Sequence, residues 1–96
     1  MTPPTVLRSV HLRIRGRVQG VGFRYSASEA ARRFGVRGWV RNTFEGDVEA
    51  VAQGDGEAVE RFIAWCRRGP AGARVDSVDE RPDSTAQTYP DFTIRR

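Results

Sequence analysis

Two kinds of hydrophobic periodicity alternate along this chain of 96 residues, and their order restricts the possible folds more than any other feature. Apolar residues first recur at every second position, at Val10, Leu12 and Ile14, which is typical of a half-buried strand. A helical stripe follows, consisting of Phe23, Ala27, Ala30, Ala31 and Phe34. Gly35 is placed to end it, so the pattern predicts a strand and then a helix.

The next part of the chain predicts a hairpin and a second helix. Alternating runs around Val40 and Ala50 are joined by a short segment that contains Gly46, which is typical of two paired strands. A second helical stripe then consists of Val59, Phe62, Ile63 and Cys66. We expect Asp55 to cap this helix and Gly69-Pro70 to end it.

The last third of the chain is less regular. Arg74 to Glu80 predicts a strand, residues 82 to 90 a loop, and Phe92 to Ile94 a short closing strand. The resulting order, β-α-β-β-α-β, is that of the split βαβ, or ferredoxin-like, motif. We therefore predict an α+β sandwich in which two helices cover one face of an antiparallel sheet and leave the other face open.

Length and composition indicate one domain over residues 1–96, with residues 1–7 as a flexible N-terminal extension. No apolar run approaches the roughly 20 residues that span a bilayer, and the start MTPPT does not resemble a signal peptide, so we expect a cytoplasmic protein. Cys66 is the single cysteine and has no metal-ligand spacing around it. We expect no metal and no other cofactor.

A glycine-rich segment joins the first strand to the first helix and is built like an anion-binding loop. Its residues are Gly16, Arg17, Val18, Gln19, Gly20, Val21 and Gly22. The segment lacks the lysine and hydroxyl of the P-loop, and Tyr25 replaces the third glycine of the dinucleotide-binding motif. The chain has sixteen arginines, no lysine and a net charge of +4, which also suits an anionic ligand.

Arg24 and Asn42 are the candidate functional side chains. Arg24 lies in the first helical turn, where a cation opposes the helix dipole, so an anion is expected beside it. Loop chemistry alone also permits a tight turn with Arg24 in solvent. Asn42 ends the second strand and can hold a water molecule without acting as a base, although asparagine there is often only a turn former.

The segments GRVQGVGFR (residues 16–24) and GWVRNT (residues 38–43), followed by Gly46, together resemble the acylphosphatase family. The likeness continues through the GP-GARVD segment and the terminal F-x-I-R, covering about residues 8 to 96. It implies a ferredoxin-like hydrolase that cleaves the carboxyl-phosphate anhydride of small acyl phosphates without a metal. It also implies that Arg24 binds the phosphoryl group, that Asn42 positions the attacking water, and that residues 16–22 supply backbone amides.

One position departs from the family. Ala27 stands where a hydroxyl residue is common, so a supporting hydrogen bond is either missing or supplied by Ser26 or Ser28. The resemblance leaves the physiological substrate open among metabolic acyl phosphates, carbamoyl phosphate and phosphorylated carboxylates on proteins. We expect a monomer with no membrane or nucleic-acid partner.

Two other functions are possible for this element order. An RNA-binding module would use an open sheet face made basic by Arg13, Arg15, Arg37 and Arg41, but the third strand has no aromatic residue for base stacking. A non-catalytic anion-binding module, like the acylphosphatase-like domains of larger carbamoyl-transfer enzymes, is the other alternative. His11 has no identifiable partner and is expected to be a plain surface residue, while Cys66, Trp39 and Trp65 are expected to pack.

Overall fold

Five strands and two helices form the part of the chain that the computed structural model describes, residues 7–85 and 87–96. In chain order they are β1 (Leu7–Arg17), α1 (Phe23–Phe34), β2 (Arg37–Asn42), β3 (Val48–Asp55), α2 (Gly56–Arg68), β4 (Arg74–Pro82) and β5 (Phe92–Arg95). Residues 1–6 of the predicted N-terminal extension lie outside the described residues, and Leu7 begins β1.

The strands form one sheet in the order β4-β1-β3-β2-β5. β3 lies between β1 and β2, which are joined through α1, so the predicted split βαβ arrangement is confirmed. The pairs among the first four strands are antiparallel. The closing strand differs from the prediction of an antiparallel sheet, because β5 joins the edge of β2 in parallel, with Val40 opposite Ile94.

Both helices pack on the same face of the sheet. The alternating residues of β1 that were predicted to point inward are buried there with Phe23 of α1 and Phe62 of α2. Cys66 lies in this core, and Trp65 packs edge to face on Phe23, with ring centroids 5.4 Å apart. Asp55 occupies the N-cap position of α2, as expected. The prediction that its side chain caps the helix is wrong, because that side chain makes no capping hydrogen bond.

The opposite face of the sheet is partly covered by the chain itself. Tyr89, in the segment between β4 and β5, packs on Trp39 and Val51 and all three are buried. Gln53 holds this segment down: its Nε2 donates to the carbonyl of Gln87 over 3.0 Å, and its Oε1 accepts from the N–H of Tyr89 over 3.1 Å. Trp39 is thus a packing residue, as expected, and is not available as a stacking platform for bases.

Three of the four arginines considered for an RNA-binding face, namely Arg13, Arg15 and Arg41, pair with neighbouring carboxylates. Arg13 Nε donates to Asp47 over 3.0 Å, Arg15 contacts both Asp47 and Asp79, and Arg41 pairs with Glu49. The prediction that His11 lacks a partner is wrong, because its Nε2 contacts the Glu49 carboxylate diagonally across the β1–β3 pair. The paired charges and the buried Trp39 disfavour an RNA-binding face.

Candidate active site

An open cleft of about 240 Å³ lies at the N-terminal end of α1. It is bordered by residues from the glycine-rich loop, the first turn of α1, the end of β2 and β5: Val18, Gly20, Gly22, Phe23, Arg24, Tyr25, Asn42 and Ile94. The two candidate side chains, Arg24 and Asn42, therefore face the same cavity although they belong to different elements.

The sharp path from β1 into α1 depends on two glycines. Gly20 and Gly22 have φ angles of +77° and +75°, a left-handed conformation that L side chains rarely adopt. A Cβ at either position would meet nothing within 4 Å. The requirement for glycine here is therefore conformational rather than steric, and the chain can turn directly into the helix.

The positive end of α1 opens toward the cleft without an acceptor of its own. Ser26 N–H donates to Gly22 carbonyl over 3.0 Å, so the amides of Phe23, Arg24 and Tyr25 precede the first intrahelical bond. Gly22, as N-cap, has no side chain to accept from them, and the first turn contains no acidic residue. Such a helix end favours a negatively charged ligand.

The Arg24 side chain is half-buried and tied to the edge of the sheet. Its Nη1 donates to the carbonyl of Arg95 over 3.4 Å, which connects α1 to the end of β5. A guanidinium carries five N–H donors, so this long contact leaves most of them for another acceptor. A cation beside the amino end of a helix is repelled by the helix dipole, and a bound anion would relieve that repulsion.

Asn42 is the last residue of β2, and the turn that follows it is fastened to the glycine loop. Within the turn, Thr43 N–H donates to the Asp47 carbonyl over 2.8 Å. Gln19 reaches over from the loop, and its Nε2 donates to the carbonyls of Thr43 and Asp47 over 2.8 and 2.9 Å. The loop and the Asn42 turn are thereby held in one arrangement.

The structure does not bring every residue of the predicted loop to the cleft. Gly16 and Arg17 belong to β1, where they pair with Val75 and Arg74 of β4. A Cβ on Gly16 would lie 2.1 Å from the Arg74 carbonyl oxygen, so this glycine permits a close approach of two strands. Val18 borders the cleft, whereas Val21 packs against the core. The turn at the cleft is therefore shorter than the glycine pattern predicted.

Three residues at the cleft, Phe23, Tyr25 and Ile94, were not among the predicted site residues. Tyr25 follows Arg24 directly, which was an available signal, but Ile94 comes to the cleft only because β5 pairs with β2. Neither serine near Ala27 borders the cleft, since Ser28 is buried and Ser26 borders a different depression beside Glu29.

Within the described ranges, no cluster of three or more His, Cys, Asp or Glu residues is arranged to hold a metal ion. Among the same residues, neither helix has the length and apolar character that crossing a membrane requires.

Comparison with known sequences places this chain in a family. A family model described as Acylphosphatase matches residues 10–94. The chain is 46% identical over 90 residues to an acylphosphatase of Methylococcus capsulatus, a match that covers 94% of this chain and 98% of the relative. It is 61% identical over 69 residues to an acylphosphatase of Thermococcus kodakarensis, covering 72% of this chain and 76% of the relative.

Solved structures agree with the sequence relatives. An acylphosphatase from Coxiella burnetii superposes with a TM-score of 0.88 at 35% identity, covering 93% of each chain. That from Bacillus subtilis has a TM-score of 0.88 at 30% identity, covering 95% of this chain and all of the other. HypF of T. kodakarensis matches 93% of this chain with 12% of its own length, with a TM-score of 0.82 and 28% identity. The chain belongs to the acylphosphatase family, whose members are hydrolases that act on acid anhydrides.

Proposed function

We propose that this protein hydrolyses the carboxyl-phosphate bond of small acyl phosphates without a metal ion. One observation carries the proposal: Arg24, the uncapped amino end of α1 and Asn42 all border the same cleft. An arginine and a set of backbone amides bind a phosphoryl group, and a carboxamide beside them orients water. Family membership supports this assignment of roles.

Substrate binding is assigned to the Arg24 end of the cleft. The guanidinium contacts the equatorial phosphoryl oxygens, which are also hydrogen-bonded by the amides of the loop from Gly20 to Gly22 and the first turn of α1. These donors are fixed before the substrate arrives, because Gln19 and the Arg95 carbonyl hold the loop and Arg24 in place. Such preorganised donors stabilise charge that spreads over the phosphoryl oxygens in the transition state.

The chemical step is an in-line displacement at phosphorus. Asn42 accepts a hydrogen bond from a water molecule and orients its oxygen toward the phosphorus. A bond forms between the water oxygen and phosphorus while the bond from phosphorus to the acyl oxygen breaks, and the acyl oxygen keeps the electron pair. The products are the carboxylate and dihydrogen phosphate, which retains both protons of the water before it equilibrates with solvent.

For this reaction the protein has to align the reactants and stabilise charge, and it needs no general acid. A carboxylate is a weak base, so the leaving group needs no general acid. The transition state of phosphoryl transfer is loose, so charge stabilisation and alignment account for most of the catalysis. Arginine, amides and asparagine are sufficient for both tasks.

The direct test is benzoyl phosphate hydrolysis in excess EDTA by the wild-type protein and by Arg24→Ala. We expect turnover by the wild type at a rate that EDTA does not change, and a loss of about 10³-fold or more in kcat/KM for Arg24→Ala. Arg32→Ala, an exposed arginine near the other end of the same helix, is the matched control and should retain the wild-type rate. No hydrolysis by a folded wild type would leave only an anion-binding module.

Asn42→Ala tests the second role. It should lower kcat by about 10²-fold, because the water loses its alignment. The inhibition constant of inorganic phosphate should stay near the wild-type value, whereas Arg24→Ala should abolish phosphate inhibition. Equal loss of phosphate binding in both variants would contradict the division of roles.

A further inference from the structure

The cleft has two chemically different parts. Arg24 is the only charged side chain among the described residues that border it. Val18 and Phe23 are buried, so Tyr25 and Ile94 supply the exposed apolar surface next to the phosphoryl position. An acyl phosphate is divided in the same way, into an anionic phosphoryl group and an acyl group. We propose that Tyr25 and Ile94 bind the acyl group, and that the protein prefers acyl phosphates with an apolar acyl group of several carbons. This inference rests on the proposed function.

The exposure of these two side chains supports the inference. Few large hydrophobic side chains among the described residues are exposed, namely Leu7, Tyr25, Phe44 and Ile94. Two of these four border the cleft, with 66% of Tyr25 and 44% of Ile94 open to solvent. An exposed apolar surface at a binding cleft indicates a ligand that covers it.

The alternation of β5 puts an aliphatic side chain at the cleft and a cation away from it. Ile94 pairs with the buried Val40 and so lies on the face that carries the helices. Arg95, the next residue, lies on the opposite face, where its guanidinium is 4.7 Å from the centre of the Trp39 ring. Arg95 therefore offers its backbone carbonyl to Arg24 while its charge is held on the other side of the sheet.

This placement distinguishes between classes of substrate. An acyl group that carries a second anion finds no second cation among the cleft residues, so its desolvation is uncompensated. A small polar acyl group leaves Tyr25 and Ile94 in water. An aromatic or aliphatic acyl group covers both, and a fully buried methylene is worth about fourfold in affinity. An open cleft buries about half of each methylene, so we expect the affinity to rise about twofold for each methylene added.

The test compares kcat/KM for acetyl, butyryl, hexanoyl, benzoyl and succinyl phosphate in the wild type, Ile94→Ala and Tyr25→Ala. The wild type should prefer hexanoyl to acetyl phosphate about tenfold or more, and butyryl to the anionic succinyl phosphate. In each variant the ratio of benzoyl to acetyl phosphate should fall at least about threefold, mainly through KM, because the contact is the same in the ground and transition states. Comparing variants by this ratio cancels the intrinsic reactivities of the substrates.

Two controls separate acyl recognition from loss of structure. Leu7→Ala removes a similarly exposed side chain at the start of β1 and should keep the wild-type ratio. Tyr25→Phe keeps the ring and should keep the ratio as well. The inhibition constant of inorganic phosphate, which has no acyl group, should change less than about twofold in both alanine variants.

The outcomes are distinguishable. Unchanged ratios in both folded alanine variants, or a preference for succinyl over butyryl phosphate, would overturn the acyl-binding assignment and leave the proposed hydrolysis intact. Failure of the folded wild type to hydrolyse any of the five substrates would overturn the proposed function itself.

Discussion

The side-chain amide of Gln19 donates both of its N–H hydrogens to the turn after Asn42. A side-chain amide nitrogen has two hydrogens, and those of Gln19 point to the carbonyls of Thr43 and Asp47. No donor of this side chain is left for a phosphoryl oxygen. Gln19 was predicted as part of the anion-binding loop, and we now infer that its side chain acts by positioning the loop against Asn42.

The positioning role of Gln19 predicts an unusual pH profile. Gln19→Glu should lower kcat about tenfold or more at neutral pH, because a carboxylate would face two carbonyl oxygens and push the loop away. Protonation of that carboxyl restores one O–H donor, so activity relative to wild type should recover below about pH 5. Gln19→Ala has no proton to regain and should show no recovery. Parallel pH profiles for both variants would argue against the role.

Alanine substitution at Gly38 and at Gly20 should lower the free energy of unfolding by very different amounts. A Cβ on Gly38, whose φ is +136°, would lie 1.9 Å from the Val51 carbonyl oxygen, whereas a Cβ on Gly20 would meet nothing within 4 Å. Gly38→Ala should lower the free energy of unfolding by about 3 kcal/mol or more, since it adds a backbone clash to the strain. Gly20→Ala should cost about 1 kcal/mol. Urea unfolding measures both, and equal losses would contradict this account.

At the scale of the elements, the position of β5 depends on contacts with residues far away in sequence. It is a four-residue edge strand, and the segment before it is held on the sheet by Gln53 and Tyr89. This clamp determines where Ile94 and the Arg95 carbonyl lie. The geometry at the cleft therefore depends on hydrogen bonds made on the opposite face of the sheet.

Removing the clamp should affect stability and binding together. Gln53→Ala breaks both hydrogen bonds and leaves the Tyr89 N–H without its acceptor, at an expected cost of about 2 kcal/mol in unfolding free energy. The KM for benzoyl phosphate should rise, because Ile94 and the Arg95 carbonyl lose their fixed place. Thr88→Ala, at an exposed position of the same segment, is the control and should leave both quantities near the wild-type values. A stable Gln53→Ala variant with wild-type KM would show that the cleft geometry does not depend on the Gln53 hydrogen bonds.

Local patterns were sufficient for most elements and insufficient for their long-range pairing. Helix α1 is confirmed at both ends, because Phe23 starts an apolar stripe and Gly35 adopts the left-handed C-cap that the pattern predicted. The sequence of β5 does not indicate its parallel pairing, because the alternation of a four-residue strand is compatible with either direction. The His11–Glu49 contact depends on the β1–β3 register, which becomes defined only when the sheet forms.

The candidate site shows the same division. Arg24, Gly20 and Gly22 are local to one turn, so their common position beside the cleft needs only local geometry. Gly16 was assigned to the loop because glycines cluster there, yet it serves the contact between β1 and β4. Ile94 was missed because its approach to Arg24 requires the whole sheet.

In the whole molecule, the core between sheet and helices isolates one ionisable group from water. Cys66 is completely buried there, and burial raises the pKa of its thiol above the ordinary value of 9.0. The thiol therefore stays protonated in the folded protein under conditions in which the unfolded chain forms a thiolate. Its reactivity consequently reports on unfolding rather than on a functional site.

The buried thiol predicts a loss of stability in alkali. A raised folded-state pKa favours folding fully below the unfolded value, so this contribution is lost as the pH rises above about 9. The free energy of unfolding should fall by up to about 1.4 kcal/mol per pH unit more in the wild type than in Cys66→Ala. Urea unfolding between pH 8 and pH 10.5 measures the difference in slope. Identical slopes would show that the thiol is accessible in the folded state.

The contact between Arg24 and the Arg95 carbonyl joins residues 71 positions apart. A ribosome releases the glycine loop and Asn42 early, yet the strand that completes their cleft is made only after β4 and the segment with Tyr89. A growing chain can thus pair β1 with β3 and close α1 over them while its cleft still lacks one side. The Ile94 side of the cleft is therefore the last part of the site to be synthesised.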